Sequence, residues 1–176
     1  MLPSNIVGMA ALKELDVIAV TDHNTCKNCP AVMKLAEAYG VTAIPGMELT
    51  TAEDVHIVCL FPTLEKAMEF DGIVAARSAP IKNKPIIFGN QNIMNEDDEV
   101  IGNVDNLLIA ATSISIDEAV KIVSDLGGVA YPAHIDRDSN GIIAVLGDIP
   151  SQSGFTCAEM RDITLLEDYK EKHPIL

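Results

Sequence analysis

Val17-Ile18-Ala19-Val20 is a short apolar run, partly β-branched, that breaks off at Thr21-Asp22-His23-Asn24. A run of this length without polar alternation suits a strand buried on both faces, as in a parallel sheet. The pattern recurs along the chain. Thr42-Ala43-Ile44 stops at Pro45-Gly46-Met47-Glu48, Val55 to Phe61 carries His56, and Val129-Ala130-Tyr131 stops at Pro132-Ala133-His134. Helical patterns stand between these runs. Ser4 is a candidate N-cap for a first helix whose Ile6, Val7, Ala10, Ala11 and Leu15 share a face. Pro30 opens a second helix that Gly40 stops, and a third spans about Leu64 to Arg77. Ser115-Ile116-Asp117-Glu118 is a capping box for a fourth, which Gly127-Gly128 ends. The alternation predicts a largely parallel α/β arrangement, with polar residues at the C-terminal strand ends, where ligand sites collect.

Residues 80–104 break this rhythm. Asn92-Ile93-Met94, Asn95-Glu96-Asp97-Asp98 and Val100-Ile101-Gly102 read as a hairpin insertion with an acidic turn, a solvated excursion without a site of its own. A helix near Gly141 to Leu146, a strand near Phe155 to Met160 and a last helix near Leu165 to Lys172 complete the pattern. A length of 176 residues fits one domain over the whole chain.

Charge and targeting narrow the function. With 26 acidic and 12 basic side chains the net charge is −14, which argues against gripping long nucleic acid through a basic face. A small phosphorylated substrate stays compatible, because bound cations supply positive charge locally. The N-terminus has no basic flank ahead of an apolar stretch, and no apolar run approaches the roughly 20 residues that span a bilayer. Four cysteines without a staple-like spacing fit a reduced, cytoplasmic protein.

Three of the four histidines, His23, His56 and His134, lie in or just after strand runs, and Glu48 ends another. A lone histidine in such a place is commonly a hydrogen-bonded structural residue. Together, imidazoles and a carboxylate make a mixed N/O set suited to Zn, Mn or Fe, and Glu48 can bridge two ions. Asp22 points away from His23 on an extended strand and suits a partner to a ligand or a turn acceptor. Two readings stand side by side: a metal centre, or a sheet whose strand ends are merely polar.

Val20-Thr21-Asp22-His23-Asn24, Ile44-Pro45-Gly46-Met47-Glu48-Leu49-Thr50, His56-Ile57-Val58 and Tyr131-Pro132-Ala133-His134 resemble, in order and interval, successive motifs of the polymerase and histidinol phosphatase (PHP) family. The resemblance covers nearly the whole chain apart from 80–104. It implies a distorted seven-stranded β/α barrel whose two or three divalent ions hydrolyse phosphate esters. By motif position it makes His23, Glu48, His56 and His134 metal ligands, with Asp22 beside the cluster in a catalytic role shared with Glu48. The family also opens with Asp-x-His-x-His and closes with an Asp-x-His late in the chain, and this sequence carries neither at those places. It begins in what reads as the helix after the first strand and stops at Lys172-His173-Pro174-Ile175-Leu176. A barrel incomplete at both ends, the middle of a longer enzyme, is therefore expected, with His173 as a surface residue.

Arg137, three residues after His134, is a candidate phosphate clamp, with an ion pair to Asp136, Asp138 or Asp162 as the plain alternative. Asn24 is a candidate substrate contact or a turn former. Cys26-Lys27-Asn28-Cys29 at a helix start suits packed thiols without chemistry, a redox pair, or half a metal site. The functional expectation is a metal-dependent phosphoesterase acting on a small phosphorylated compound. A non-catalytic domain of the same build and a thiol redox protein using Cys26 and Cys29 are the alternatives.

Overall fold

The computed structural model describes residues 2–173. The chain opens with α1 (Pro3–Leu12), β1 (Val17–Val20), α2 (Cys29–Tyr39), β2 (Thr42–Thr50), β3 (His56–Leu60) and α3 (Leu64–Arg77). An excursion follows, with a one-turn α4 (Pro85–Phe88) and the strands β4 (Asn92–Met94) and β5 (Val100–Asn103). The chain returns through α5 (Ile116–Asp125), β6 (Val129–Pro132), α6 (Ile142–Leu146) and α7 (Leu166–Lys172).

The main sheet has the order β1-β2-β3-β6. Only β1 and β2 pair in parallel; β3 runs antiparallel to both β2 and β6. This corrects the largely parallel expectation, and the cause is local. Residues 51–55 form a tight turn in which the Thr51 N–H donates to the Val55 carbonyl at 2.9 Å and Asp54 takes φ +63°. So short a connection reverses the chain, whereas a parallel crossover needs a dozen residues or more. Among the described residues the sheet has four strands, with β1 and β6 at its edges, and no closed barrel is present.

β2 is longer than the apolar run implied. Its first half pairs with β1 as far as Pro45, and its second half, from Gly46 to Thr50, pairs with β3. Pro45 sits at this change of partner, where its missing N–H breaks no ladder. At Gly46 a Cβ would lie 2.6 Å from the Cys59 carbonyl oxygen, so only glycine lets the two strands approach this closely. Alternation along β2 and β3 sends Met47, Leu49, Ile57 and Cys59 into the core with Val32, Phe70, Val74 and Val123. Glu48 and His56 are left on the opposite face.

Helix ends follow the sequence signals with one exception. Thr63 caps α3 by accepting the Lys66 N–H, Ser115 and Glu118 close the capping box on α5, and Gly40 ends α2 at φ +69°. Ser4 is not the cap of α1: the helix starts one residue earlier at Pro3, whose fixed φ suits the first turn. The Ser4 backbone N–H and hydroxyl instead bind the Asp98 carboxylate. Residues 155–160 form no strand. Only Glu159 exchanges backbone hydrogen bonds with the β6 segment, to Pro132 and from Ile135, each at 2.9 Å.

The excursion does contain the expected hairpin, β4 against β5, with Asn95 organising the acidic turn. It is not a free surface loop. Lys34 on α2 pairs with Glu96, and the Asn28 side chain binds the backbone of Asn92 and Met94. His173, expected at the surface, is buried, with Nδ1 2.5 Å from Asp148 Oδ1. The expectation for Pro174 to Leu176 lies outside the described residues.

Candidate metal centre

Four chain segments deliver four side chains to one point. His23 follows β1 and bridges in parallel to Glu48 in β2. His56 starts β3 and is the diagonal neighbour of Glu48 on the same face. His134 follows β6, where the Ala133 N–H donates to the His56 carbonyl at 3.0 Å. His134 itself has φ +31°, a left-handed bend that turns the chain at the site. Because β3 is reversed, the start of β3 lies at the same end of the sheet as the finishes of β1, β2 and β6.

Glu48 Oε1 stands 2.9 Å from His56 Nδ1 and 3.1 Å from His134 Nε2, and those two nitrogens are 3.2 Å apart. Ligands about 2.1 Å from one ion at right angles would lie about 3.0 Å from each other, close to these three edges. His23 Nδ1 is 3.9 Å from Glu48 Oε2, buried, and has no hydrogen-bond partner. That gap matches two metal–ligand bonds of about 2.0–2.1 Å laid end to end. The donor atoms of His23, Glu48 and His56 all fall within 4.8 Å of one another. Two triads thus share Glu48 and His56, and the residues fit a divalent cation.

The electrostatics agree. Burial lowers the His23 pKa, helped by His56 and opposed by Glu48, so the neutral, ligating form prevails. Burial alone would raise the Glu48 carboxyl, but the His56 hydrogen bond and the nearby imidazoles outweigh it and hold the pKa at about 2. The centre therefore presents a carboxylate and a neutral imidazole at neutral pH.

The other candidates are placed as follows. Asp22 lies beside His23 but turns its carboxylate to Asn28, whose Nδ2 donates to Oδ2 at 3.0 Å. Asn24 does not offer a free group to a substrate. Its Nδ2 donates to the carbonyls of Leu108 (2.6 Å) and Ala110 (2.9 Å), and its Oδ1 accepts the Thr50 N–H (2.8 Å). Buried and with φ +50°, it is a clasp between β2 and the segment 108–110. Arg137 is exposed, and its side chain has no ion pair among the described residues, so the expected pairing with Asp136, Asp138 or Asp162 is not formed. Asp136 instead accepts the backbone N–H groups of Arg161 and Asp162.

Cys26 and Cys29 are buried, and both thiols point at the Gly46 carbonyl, at 3.2 and 3.5 Å. The Cys29 contact and burial push the Cys26 thiol up, which favours the protonated donor over a reactive thiolate.

Two residues escaped the sequence reading. Asn28, inside the Cys-x-x-Cys motif, ties Asp22 to the hairpin; its Oδ1 accepts the Met94 N–H at 2.9 Å. Asn140 holds His56, accepting its backbone N–H at 2.9 Å. Polar turn residues of this kind carry no periodic signal.

A cleft of about 530 Å³ opens beside the centre, between Asp22, His23 and Asn28 on one side and the excursion on the other. The excursion thus forms a wall of the site, contrary to its expected lack of one. No helix among the described residues is long and apolar enough to cross a membrane.

No family model matches the chain. An uncharacterized protein of Methanocaldococcus jannaschii, MJ1587, is 34% identical over 86 residues, covering 42% of this chain and 50% of the relative. The matched part is thus half of that relative's length. Among solved structures, the lesion-specific endonuclease PfuEndoQ of Pyrococcus furiosus superposes with TM-score 0.62 at 19% identity, covering 96% of this chain and 40% of the endonuclease. An amidohydrolase of Chromobacterium violaceum gives 0.60 at 16%, covering 97% and 77%. A protein of Bifidobacterium adolescentis, provisionally described as a metal-dependent phosphoesterase, gives 0.57 at 19%, covering 90% and 71%. Endonuclease Q is also described with a 27-mer duplex substrate that has an abasic lesion at the active site (TM-score 0.50, 17% identity, covering 90% and 37%). The resemblance to the PHP family therefore holds at the level of the fold, and the chain is built like these hydrolases.

Proposed function

We propose that His23, Glu48, His56 and His134 hold divalent cations and that the chain hydrolyses phosphate esters there. The observation that carries this reading is the set of ligand-sized edges around Glu48 Oε1, 2.9 Å to His56 and 3.1 Å to His134. Phosphoesterase and endonuclease neighbours of the same fold support it.

A bound divalent cation supplies positive charge for phosphoryl oxygens and lowers the pKa of water toward neutrality. The protein's own groups do the rest. Glu48, ionised well below neutral pH, neutralises the cluster and spans both triads. Asp22, held by Asn28 at the mouth of the cleft, is the proposed group that orients the attacking water and takes its proton. Arg137, exposed and unpaired among the described residues, is the candidate clamp on a non-bridging phosphate oxygen.

Net charge does not decide substrate size. A −14 chain disfavours non-specific binding to long nucleic acid, yet a protein of this fold is described on duplex DNA. The test is phosphate release from a small aryl phosphate, and nicking of an abasic duplex, with Mn²⁺ or Zn²⁺. Activity on either that disappears in Glu48→Gln supports the reading. Activity on neither, or activity unchanged in Glu48→Gln, overturns it.

A further inference from the structure

We infer that the 530 Å³ cleft beside the centre receives a neutral, flat, apolar group: the alcohol part of a phosphate monoester. This rests on the phosphoesterase reading above and specifies its substrate class. The cleft starts at His23 and Asp22, so a phosphate at the metal centre directs its ester oxygen into it.

Ile6, Phe88, Ile93 and Leu107 give its lining an apolar part. Phe88 keeps 47% of its surface exposed. A half-exposed ring on a cleft wall is a stacking platform, and covering it removes apolar surface from water. The volume lies within the range of small-molecule pockets, roughly 300–1,000 Å³.

The charge balance disfavours a second anionic group on that part of the substrate. Lys27 is the only lysine or arginine on the lining among the described residues, and its Nζ is held 2.7 Å from the buried Asp71 carboxylate. Asp71 also binds the Thr25 hydroxyl and the Cys26 N–H, so that pair is fixed in the turn. Asp22 adds a negative charge at the mouth. Polar recognition is left to Asn90 and Asn92, whose side-chain amides have no hydrogen-bond partner among the described residues. Gln91 between them is engaged with Val104, Asn106 and Leu108.

In the reaction, the water oxygen bonds to phosphorus, the P–O bond to the alcohol breaks, and the alcohol leaves with a proton. The products are inorganic phosphate and the neutral alcohol, which stays in the cleft until it dissociates.

The test compares naphthylmethyl phosphate with glycerol phosphate, both esters of primary alcohols, on the intact chain with Mn²⁺. Phe88→Ala is expected to lower kcat/KM for the naphthylmethyl ester about tenfold, chiefly through KM, and to leave glycerol phosphate unchanged. An equal fall for both esters, or none for either, overturns the inference. A second readout needs neither metal nor activity: naphthylmethanol titrated into labelled protein is expected to shift the amides of Phe88, Asn92 and Ile93 saturably. Shifts there without hydrolysis of any ester leave the cleft assignment standing and remove the phosphoesterase reading. Hydrolysis without such shifts does the reverse.

Discussion

His56 Nδ1 and His134 Nε2 stand 3.2 Å apart although one residue starts its strand and the other follows the end of its own. The antiparallel pairing of β3 with β6 brings those opposite ends together, with Ile57 opposite Pro132. Glu48 completes the triangle from the next strand.

Acid weakens the metal-free fold through His23. Its folded pKa lies below the ordinary value of 6.5 because burial disfavours the cation. The unfolded chain therefore takes up this proton first, and stability present above pH 6.5 is lost as pH falls below it. Thermal melts from pH 7.5 to 5 in chelator should show a falling midpoint, with a smaller fall in His23→Gln. An equal slope in both proteins counts against the account.

Glu48 acts lower on the same scale. Its carboxyl is held at about 2 against an ordinary 4.5, so its contribution is full above pH 4.5 and disappears as pH falls toward 2. Carbon-detected titration of the Glu48 carboxyl should show no protonation at pH 4.

Asn24→Ala should destabilise the fold by about 2–3 kcal/mol, because it leaves the buried Thr50 N–H and two carbonyls unpaired. Denaturant unfolding measures this. A change confined to substrate KM, with stability intact, would favour the substrate-contact role instead.

Gly46→Ala should cost about 1–3 kcal/mol, since its methyl would meet the Cys59 carbonyl oxygen at 2.6 Å and Leu60 Cδ2 at 2.8 Å. Chemical denaturation of the two proteins side by side measures it, and a neutral substitution would mean that β2 and β3 separate easily at this point.

Thiol labelling separates the readings of the Cys-x-x-Cys motif. Cys157 is exposed and should react at once, whereas Cys26, Cys29 and Cys59 are buried and should react only on unfolding. Fast labelling of Cys26 or Cys29 in the folded protein would revive a redox role.

The candidate ligands were legible because each member interrupts an apolar run: His23 and Glu48 after β1 and within β2, His56 inside a β-branched stretch, His134 after β6. Their geometry was not. Val55, Ile57 and Val58 fit a strand in either direction, and only the tight turn 51–55 sets the reversal of β3. The capping box at Ser115 and the helix over Leu64–Arg77 are local patterns and read directly. Ser4 misled because Pro3 and the distant Asp98 compete for its role. The hairpin of the excursion was legible but its docking was not, because the contacts that dock it, Asn28 to Met94 and Lys34 to Glu96, are long-range and leave no periodicity. Asn140 and the clasp made by Asn24 were hidden for the same reason.

Calorimetric titration of Zn²⁺ or Mn²⁺ into the metal-free chain tests the central claim most directly. The account predicts saturable binding of at least one ion per chain, weakened by ~100-fold or more in Glu48→Ala, since even outer partners of metal ligands cost 10–100-fold. No saturable binding, or the same affinity in Glu48→Ala, contradicts it.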